Sequence, residues 1–362
     1  MLLNFRGVVI EQLVADGHEL VLLVPYMTEN SNVAVPYGAK VIEVEMTPTS
    51  TSPIHDLKLL RQYIRVYKQE RPDYIFHYTI KPNIYGGMAA QWLGIPHTSM
   101  VAGLGYSFSS NGVKNKIARM LYRIGLRKAD HVQVLNADNQ KVLLEKKVAK
   151  SSQLLLLEGG EGVDLERFAM TDNHSDHVHF LMVARMLYDK GYSETVEAAR
   201  IVKAKYPHVD VWMLGSLDEE SPMGVPHEVI EKDQKEGIIE YLGFTSEPQK
   251  IMGKQGVLLL LSSSYHEGLN RSLMEACALG KPIITSDIPG CRETVDAGKN
   301  GYLVPKKDSK ALAEAMEKYI LLSDAEKAAM GRASREYAER RFDIKKVIGV
   351  YEEILKNVRA SK

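Results

Sequence analysis

Two glutamates in the C-terminal half of the sequence flank a segment that could bind a diphosphate. Glu267 and Glu275 lie in the stretch SSSYHEGLNRSLMEACALGKPIITSDIPGCR, which spans Ser262–Arg292 and contains a predicted helix, Leu269–Leu279. A helix N-terminus presents unpaired backbone N–H groups and a partial positive charge, which suit a diphosphate. We predict that Glu275, about two turns along the helix, accepts hydrogen bonds from ribose hydroxyls. Glu267 is expected beside a sugar ring and its breaking bond.

The spacing of the two glutamates does not establish a binding site by itself. Asp and Glu make up 46 of the 362 residues, so such pairs recur by chance, and the alternative is an ordinary surface helix. The surrounding residues favour a site. A buried strand is predicted at Val257–Leu261, and Gly268 would let a ligand approach the backbone closely.

A second pair of candidate residues, Arg185 and Lys190, follows the strand predicted at Val178–Ala184. Cations at the carboxyl end of a parallel strand point into the crevice where open α/β sheets bind ligands. Arg185 could bind a departing phosphate through its planar fork, and Lys190 could act as a point charge. The alternative is a solvated loop with two surface charges.

These candidates require parallel strands, and the hydrophobic pattern predicts them. Short β-rich runs alternate with helical segments, which indicates an α/β protein made of two doubly wound, Rossmann-like halves. The predicted strands are Glu19–Val24, Ala39–Val44, Tyr74–Tyr78, His97–Val101, His131–Leu135, Gln153–Leu157, Val178–Ala184, Val209–Met213, Ile238–Tyr241, Val257–Leu261, Pro282–Thr285 and Tyr302–Val304.

The glycine- and charge-rich segment Glu158–Arg167 is the predicted boundary between the halves. We predict an N-terminal domain over residues 1–163, a C-terminal domain over 164–340, and a terminal helix within 341–362 that packs back on the first domain. A doubly wound domain should open with a strand, whereas this sequence opens with MLLNFRGVVIEQL, a loop entering a helix. We therefore expect that the first strand is missing or that another segment takes its place.

The composition limits the classes of protein. Hydrophobic residues make up 45% and charged residues 25% of the chain, as in globular proteins. The two cysteines have no metal-ligand spacing and suggest a reducing compartment. No apolar run approaches the ~20 residues of a membrane span. We expect a cytoplasmic protein with no metal and no nucleic-acid partner, and leave open a peripheral position on the inner face of the plasma membrane.

Several motifs resemble those of the retaining glycosyltransferases of family four. They are Arg185-x4-Lys190, GVDLERF (Gly162–Phe168), YLGF (Tyr241–Phe244), Glu267-x7-Glu275 and IPGCRETV (Ile288–Val295). Motifs in the first half resemble the bacterial branch that builds capsule, O-antigen or related glycans on undecaprenyl-diphosphate carriers. These are LLNFRG (Leu2–Gly7), Asp56–Asp73, HYTIKPNIYG (His77–Gly86) and GLG (Gly103–Gly105).

The resemblance implies a GT-B fold with two domains facing a cleft, no metal or other cofactor, and retention of the donor's anomeric configuration. It implies a UDP-sugar donor and makes Glu267, Lys190 and Arg185 the catalytic candidates. Gly243 and Phe244 would lie at the edge of the nucleotide base of the donor. The full set of implied donor-binding residues is Arg185, Lys190, Gly243, Phe244, Glu267, Gly268, Leu269, Asn270, Arg271, Ser272 and Glu275.

The acceptor residues are expected in the first half. Lys81, in a segment between a strand and a helix, could meet an acceptor phosphate, and so could Arg6 at the start of the first helix. The predicted acceptor residues are Arg6, Thr79, Lys81, Asn83 and Gly103. Many family members carry a histidine after the strand that here ends at Val101. This chain has Ala102-Gly103 there, so the resemblance does not extend to that residue.

A basic helix is predicted at Val113–Lys128, and it could lie on an anionic bilayer. Its cations Lys116, Arg119, Arg123 and Arg127 would share one side. The alternative is a solvated basic face opposite a buried apolar stripe made of Ile117, Met120, Leu121 and Ile124.

Together these features predict transfer of a sugar, an N-acetylhexosamine or a hexose, from a UDP-sugar to an undecaprenyl-diphosphate-linked or polysaccharide acceptor in cell-surface glycan synthesis. Two alternatives stay open at this point. One is a sugar-nucleotide epimerase of the same architecture, and the other is a non-catalytic subunit that binds a nucleotide sugar.

Overall fold

The computed structural model describes residues 2–25, 38–46, 52–104, 108, 112–171, 175, 177–261, 263 and 268–360. The chain forms two compact units. The first comprises Met1–Gly162 and Ile344–Lys362, and the second is Val163–Asp343. The chain therefore passes from one unit to the other after residues 162 and 343, where the sequence predicts boundaries after residues 163 and 340.

The first unit contains two parallel sheets within its described residues. Strands β1 and β2 form one sheet, and β3, β4, β5 and β6 form the other in that order. These strands are β1 Val21–Pro25, β2 Lys40–Val44, β3 Ile75–Tyr78, β4 His97–Val101, β5 His131–Val134 and β6 Leu154–Leu156. The helices are α1 Leu2–Ala15, α2 Pro53–Glu70, α3 Gly87–Leu93, α4 Val113–Leu126 and α5 Ala137–Glu145. The first described element is thus a helix, and no described strand joins the two sheets.

The second unit contains one six-stranded parallel sheet in the order β12-β11-β10-β7-β8-β9. Its strands are β7 His179–Val183, β8 Asp210–Leu214, β9 Glu240–Tyr241, β10 Val257–Leu261, β11 Ile283–Ser286 and β12 Gly301–Val304. Its helices are α6 Tyr192–Lys205, α7 His227–Lys235, α8 Pro248–Met252, α9 Arg271–Ala278, α10 Ser309–Ile320 and α11 Asp324–Arg341. The strand order reverses between β7 and β10, which makes their carboxyl ends the topological switch point of this sheet.

The central strands owe their position to continuous apolar sequence. Strand β10 reads VLLLL and is buried at every residue, as expected of a parallel strand covered on both faces by helices. All twelve strands predicted from the sequence are present, with ends that differ by a few residues.

The terminal helix α12, Ile344–Ala360, belongs to the first unit and packs against α1. Val9 and Leu13 of α1 form a buried cluster with Val347 and Tyr351 of α12. Tyr351 also contacts Phe76 of β3, with ring centroids 4.8 Å apart. The amphipathic pattern of α12 therefore covers one side of the first unit. None of the described helices is both long enough and apolar enough to cross a membrane.

Candidate active site

The candidate donor residues gather around the switch point of the second unit. Strands β7 and β10 are direct neighbours, with Phe180 paired to Leu258. The turn that carries Lys190 lies beside the end of β10, because the Ser263 hydroxyl donates a hydrogen bond to the Asp189 carbonyl at 3.4 Å. The fold therefore brings together two loops that are more than 70 residues apart in sequence.

The N-terminus of helix α9 is built by Asn270, which begins the helix as its N-cap. Its Oδ1 accepts a hydrogen bond from the Leu273 N–H at 3.2 Å and another from the Ser272 hydroxyl at 2.9 Å. Its own N–H donates to the Gly290 carbonyl at 2.8 Å. Asn270 is thus occupied in shaping the helix start, and helix α9 begins two residues later than the predicted Leu269 for this reason.

Glu275 forms an ion pair on α9 with Arg271. The Arg271 Nε donates to the Glu275 Oε1 at 2.7 Å, and both side chains are largely buried. Burial raises the pKa of the Glu275 carboxyl, and the charges of Arg271 and Arg167 offset only part of that rise. Arg271, which the sequence predicts as a donor ligand, therefore orients the carboxylate that is predicted to bind the ribose.

The turn before α9 is described only in part. Glu267, the predicted catalytic carboxylate, lies outside the described residues. Gly268 is half-buried, and Leu269 is buried, with 9% of the residue exposed. The donor roles of these residues stay predictions.

Arg185 follows β7 and has a partner that sequence reasoning missed. Its Nη1 donates to the Asp218 Oδ2 at 2.5 Å, and 54% of its side chain is exposed. Lys190 is half-buried in the short 3₁₀ turn Tyr188–Lys190, which ends at Gly191 with a φ of 90°. A left-handed residue at this position suits glycine and lets helix α6 start immediately after the lysine.

The predicted base-binding residues lie at the end of β9, two strands away from β7. The Gly243 carbonyl accepts a hydrogen bond from the Gly215 N–H at 2.8 Å, and the Phe244 side chain is 72% exposed. A Cβ on Gly215 would lie 1.8 Å from the Ala184 carbonyl oxygen. Gly215 therefore connects the ends of β7, β8 and β9. Its place two residues after the predicted strand Val209–Met213 was the signal that could have identified it.

Two of the predicted acceptor residues, Asn83 and Arg6, have partners within the first unit, and their acceptor role stays a prediction. Asn83 is fully buried and donates from Nδ2 to the Met100 carbonyl at 2.7 Å. Arg6 forms a buried ion pair with Glu161 and stacks over the Tyr78 ring, 3.7 Å from its centroid. Each side chain also has a buried polar atom without a hydrogen-bond partner among the described residues, the Nε of Arg6 and the Oδ1 of Asn83.

The other acceptor candidates lie near the carboxyl ends of β3 and β4. Thr79 is exposed and has a φ of 70°, a left-handed conformation that is strained for threonine. Lys81 forms an ion pair with Asp56 at 2.8 Å, and Asp56 also accepts a hydrogen bond from the Tyr85 hydroxyl. Gly103 lies in the half-buried loop after β4. The roles of these three residues stay predictions.

His77, the first residue of the motif HYTIKPNIYG, lies in the interior of the first unit. It is fully buried beside the Tyr67 hydroxyl, 2.9 Å from its Nε2. Burial, with a smaller effect of the neighbouring His97, holds the pKa of His77 well below its usual value. The imidazole is therefore neutral in the folded protein.

Helix α4 exposes only part of the basic side predicted for it. Lys116, Arg123 and Arg127 are exposed, whereas Arg119 is buried. Arg123 donates to the carbonyls of Lys146 and Lys147. The predicted buried stripe is wrong, since three of its four apolar side chains, Ile117, Met120 and Ile124, are exposed.

Two family models match the chain, one in each half. Residues 7–156 match the glycosyl transferase 4-like domain, and residues 166–337 match glycosyl transferases group 1. The two matches follow the division into units and together span most of the chain.

Two named relatives match most of the chain. The N,N'-diacetylbacillosaminyl-diphospho-undecaprenol alpha-1,3-N-acetylgalactosaminyltransferase of Campylobacter jejuni is 27% identical, over 98% of this chain and 96% of the relative. The capsular polysaccharide biosynthesis glycosyltransferase CapM of Staphylococcus aureus is 25% identical, over 79% of this chain and 77% of the relative.

Solved structures show the same fold. A glycosyltransferase from Rickettsia africae superposes with a TM-score of 0.78 at 20% identity, covering 99% of this chain and 95% of that one. Anabaena HepE in complex with UDP superposes with a TM-score of 0.77 at 16% identity, covering 97% and 96%. The chain therefore belongs to the GT-B glycosyltransferases, with a glycosyl transferase 4-like domain followed by a group 1 domain.

Proposed function

We propose that the protein transfers a sugar from a UDP-sugar, with retention of configuration, to a glycan carried on a polyprenyl diphosphate. The observation that carries this proposal is the meeting of Arg185, the Lys190 turn and the capped start of α9 at one switch point. Two cations and a helix N-terminus at such a point form a site for a diphosphate.

The names of the relatives limit the donors and acceptors that we consider. The Campylobacter jejuni relative is named as an N-acetylgalactosaminyltransferase that acts on an undecaprenyl-diphosphate-linked sugar, and HepE was solved with UDP. We infer an N-acetylhexosamine or hexose as the transferred sugar and an undecaprenyl-diphosphate-linked glycan as the acceptor.

The cations of the second unit suit a reaction in which negative charge develops on the departing UDP. As the bond from the anomeric carbon to the phosphate oxygen breaks, its electron pair passes to UDP, where Arg185 and Lys190 neutralise the added charge. The acceptor hydroxyl forms the new bond on the same face and gives its proton to the departing phosphate oxygen. Glu275 would hold the ribose, so that the nucleotide is fixed before the bond breaks.

Transfer to a defined acceptor tests the proposal. The enzyme would be incubated with a panel of UDP- and GDP-sugars and an undecaprenyl-diphosphate glycan, with the product mass and its anomeric configuration measured. We expect one UDP-sugar to add one residue with the donor's configuration. A changed sugar nucleotide without acceptor would identify an epimerase, and UDP binding with no turnover of either kind would identify a binding subunit.

We further propose that an anionic bilayer is a partner of the first unit. The contact would be the α4 face, defined by the apolar side chains Val113, Ile117, Met120 and Ile124 and the cations Lys114, Lys116 and Arg127. All of these side chains are exposed, and the α4 sequence VKNKIARMLYRIGL contains no acidic residue. A helix surface that exposes large apolar side chains among cations suits an interface with anionic lipids.

Helix α3 extends the apolar surface near the C-terminal end of α4. The Gln91 amide donates to the Ile124 carbonyl at 3.0 Å, and the neighbouring Trp92 is 72% exposed. Tryptophan is enriched where protein meets the lipid headgroups.

Sedimentation with vesicles tests this partner. We expect the protein to bind vesicles that contain phosphatidylglycerol and not vesicles of phosphatidylcholine alone. The double variant Ile117→Ser/Met120→Ser should lose most of this binding. Leu321→Ser changes a more exposed apolar residue of the second unit and should leave the binding unchanged. Equal binding by wild type and the double variant would contradict the proposal.

A further inference from the structure

We propose that Asp218 is a positioning residue for the donor diphosphate, acting through Arg185. This inference rests on the proposed function, in which Arg185 binds the diphosphate. The Asp218 carboxylate holds the guanidinium at the carboxyl end of β7, so that its remaining N–H groups are already oriented when the UDP-sugar arrives.

The contact itself leaves the arginine able to bind a second anion. Asp218 accepts from the Nη1 of Arg185 at 2.5 Å, and a guanidinium has five N–H donors. Asp218 is the less exposed partner, with 29% of its side chain exposed against 54% for Arg185. The more buried carboxylate can thus act as the fixed point for the more exposed, flexible arginine.

The backbone explains why Asp218 is fixed. The loop that follows β8, residues 215–225, folds back along the segment that carries Arg185. The Met186 N–H donates to the Ser216 carbonyl at 3.0 Å, and the Val225 N–H donates to the Met186 carbonyl at 3.1 Å. These bonds enclose position 218 on both sides, so the loop cannot move without breaking main-chain pairing.

Glycine packing closes the loop further. A Cβ on Gly224 would lie 2.2 Å from the Asp218 carbonyl oxygen, so only glycine allows the two arms of the loop to approach this closely. Gly215 anchors the beginning of the same loop against Ala184, the residue before Arg185. Asp218 is therefore held by the same elements that hold the strand end.

Orientation of Arg185 would lower the cost of binding the donor. A long, half-exposed arginine loses side-chain freedom when it binds a phosphate, and a carboxylate that restrains it beforehand reduces that loss. The carboxylate also neutralises part of the charge that attracts the diphosphate, and this effect opposes the first. The two effects change the affinity for UDP in opposite directions, so measurement separates them.

The test compares UDP binding by calorimetry, and donor KM and kcat, for Asp218→Ala and Asp218→Asn. We expect Asp218→Ala to weaken UDP binding about tenfold, in the range of a lost charge-assisted hydrogen bond. Asp218→Asn keeps an acceptor oxygen and should retain most of the affinity. Glu220→Gln, an exposed residue of the same loop, is the control for the change in charge and should bind UDP as the wild type does.

A double-variant cycle decides whether Asp218 acts through Arg185. In an Arg185→Ala background, Asp218→Ala should cause no further loss of affinity. An equal loss in that background would show a merely structural role and overturn the proposal, as would unchanged or tighter UDP binding by Asp218→Ala. If the wild type itself fails to bind UDP, the proposed function fails, whereas UDP binding by the wild type with no effect at Asp218 refutes only this inference.

Discussion

Arg271 and Glu275 form an ion pair one turn apart on helix α9, at 2.7 Å, with both side chains mostly buried. This pair places a carboxylate with a raised pKa beside the helix start where the diphosphate is expected. Its position makes the stability of the protein depend on the charge of Glu275.

Relative to the wild type, Glu275→Gln should be more stable at neutral pH than it is at acid pH. Because burial raises the carboxyl pKa above 4.5 in the folded protein, ionisation costs stability once the pH exceeds that raised pKa. This cost is absent well below the usual pKa. The free energy of unfolding of the variant minus that of the wild type should therefore increase from acid to neutral pH. A difference that does not vary with pH would contradict the raised pKa.

Asn270→Ala should weaken UDP binding as well as stability, because it removes the cap that shapes the start of α9. Loss of an N-cap costs about 1 kcal/mol. Asp308→Ala is the matched control, since Asp308 caps α10 by accepting from the Ala311 N–H at 2.9 Å. Denaturant unfolding and calorimetry should find similar destabilisation in both variants but weaker UDP binding only in Asn270→Ala. Equal UDP affinities of the two variants would show that the start of α9 is not part of the donor site.

Lys190→Ala should reduce kcat for transfer by about 100-fold or more while the protein stays folded, because the lost charge stabilises the leaving diphosphate. Lys306→Ala removes an exposed lysine of the same unit and should leave kcat unchanged. Turnover would be followed by UDP release, and folding by circular dichroism. A folded Lys190→Ala enzyme with normal turnover would refute the role given to this lysine.

Glu161→Gln should destabilise the first unit by about 3 kcal/mol, because it leaves the buried Arg6 charge without its counter-charge. The double variant Arg6→Met/Glu161→Gln should recover much of that loss. Lys40→Met breaks the more exposed pair with Glu70 and should cost less than about 1 kcal/mol. Denaturant unfolding measures all three. If Glu161→Gln were as stable as the wild type, the ion pair between Arg6 and Glu161 would not contribute to stability as expected.

Local sequence was sufficient for the strands and for the segments that carry the donor candidates. Strand β10 reads VLLLL, and such a run has few alternatives to a buried parallel strand. The position of Arg185 directly after a predicted strand, and that of Gly268 between a predicted strand and a predicted helix, also follow from the chain itself. The strands that meet at the switch point can be predicted from the sequence, and so can the positions of the donor candidates that follow them.

Other roles depended on partners far away in the chain. The sequence predicts Arg6 as a phosphate ligand but not its contacts with Glu161 and Tyr78, which only the fold creates. Likewise, Arg119 is buried although it shares a helix with exposed cations. Asp218 gave no local signal, since its importance comes only from the loop that returns to Arg185. Periodicity along the chain determines which segments are helices and strands, whereas the charge and burial of one side chain depend on which distant groups the tertiary structure packs around it.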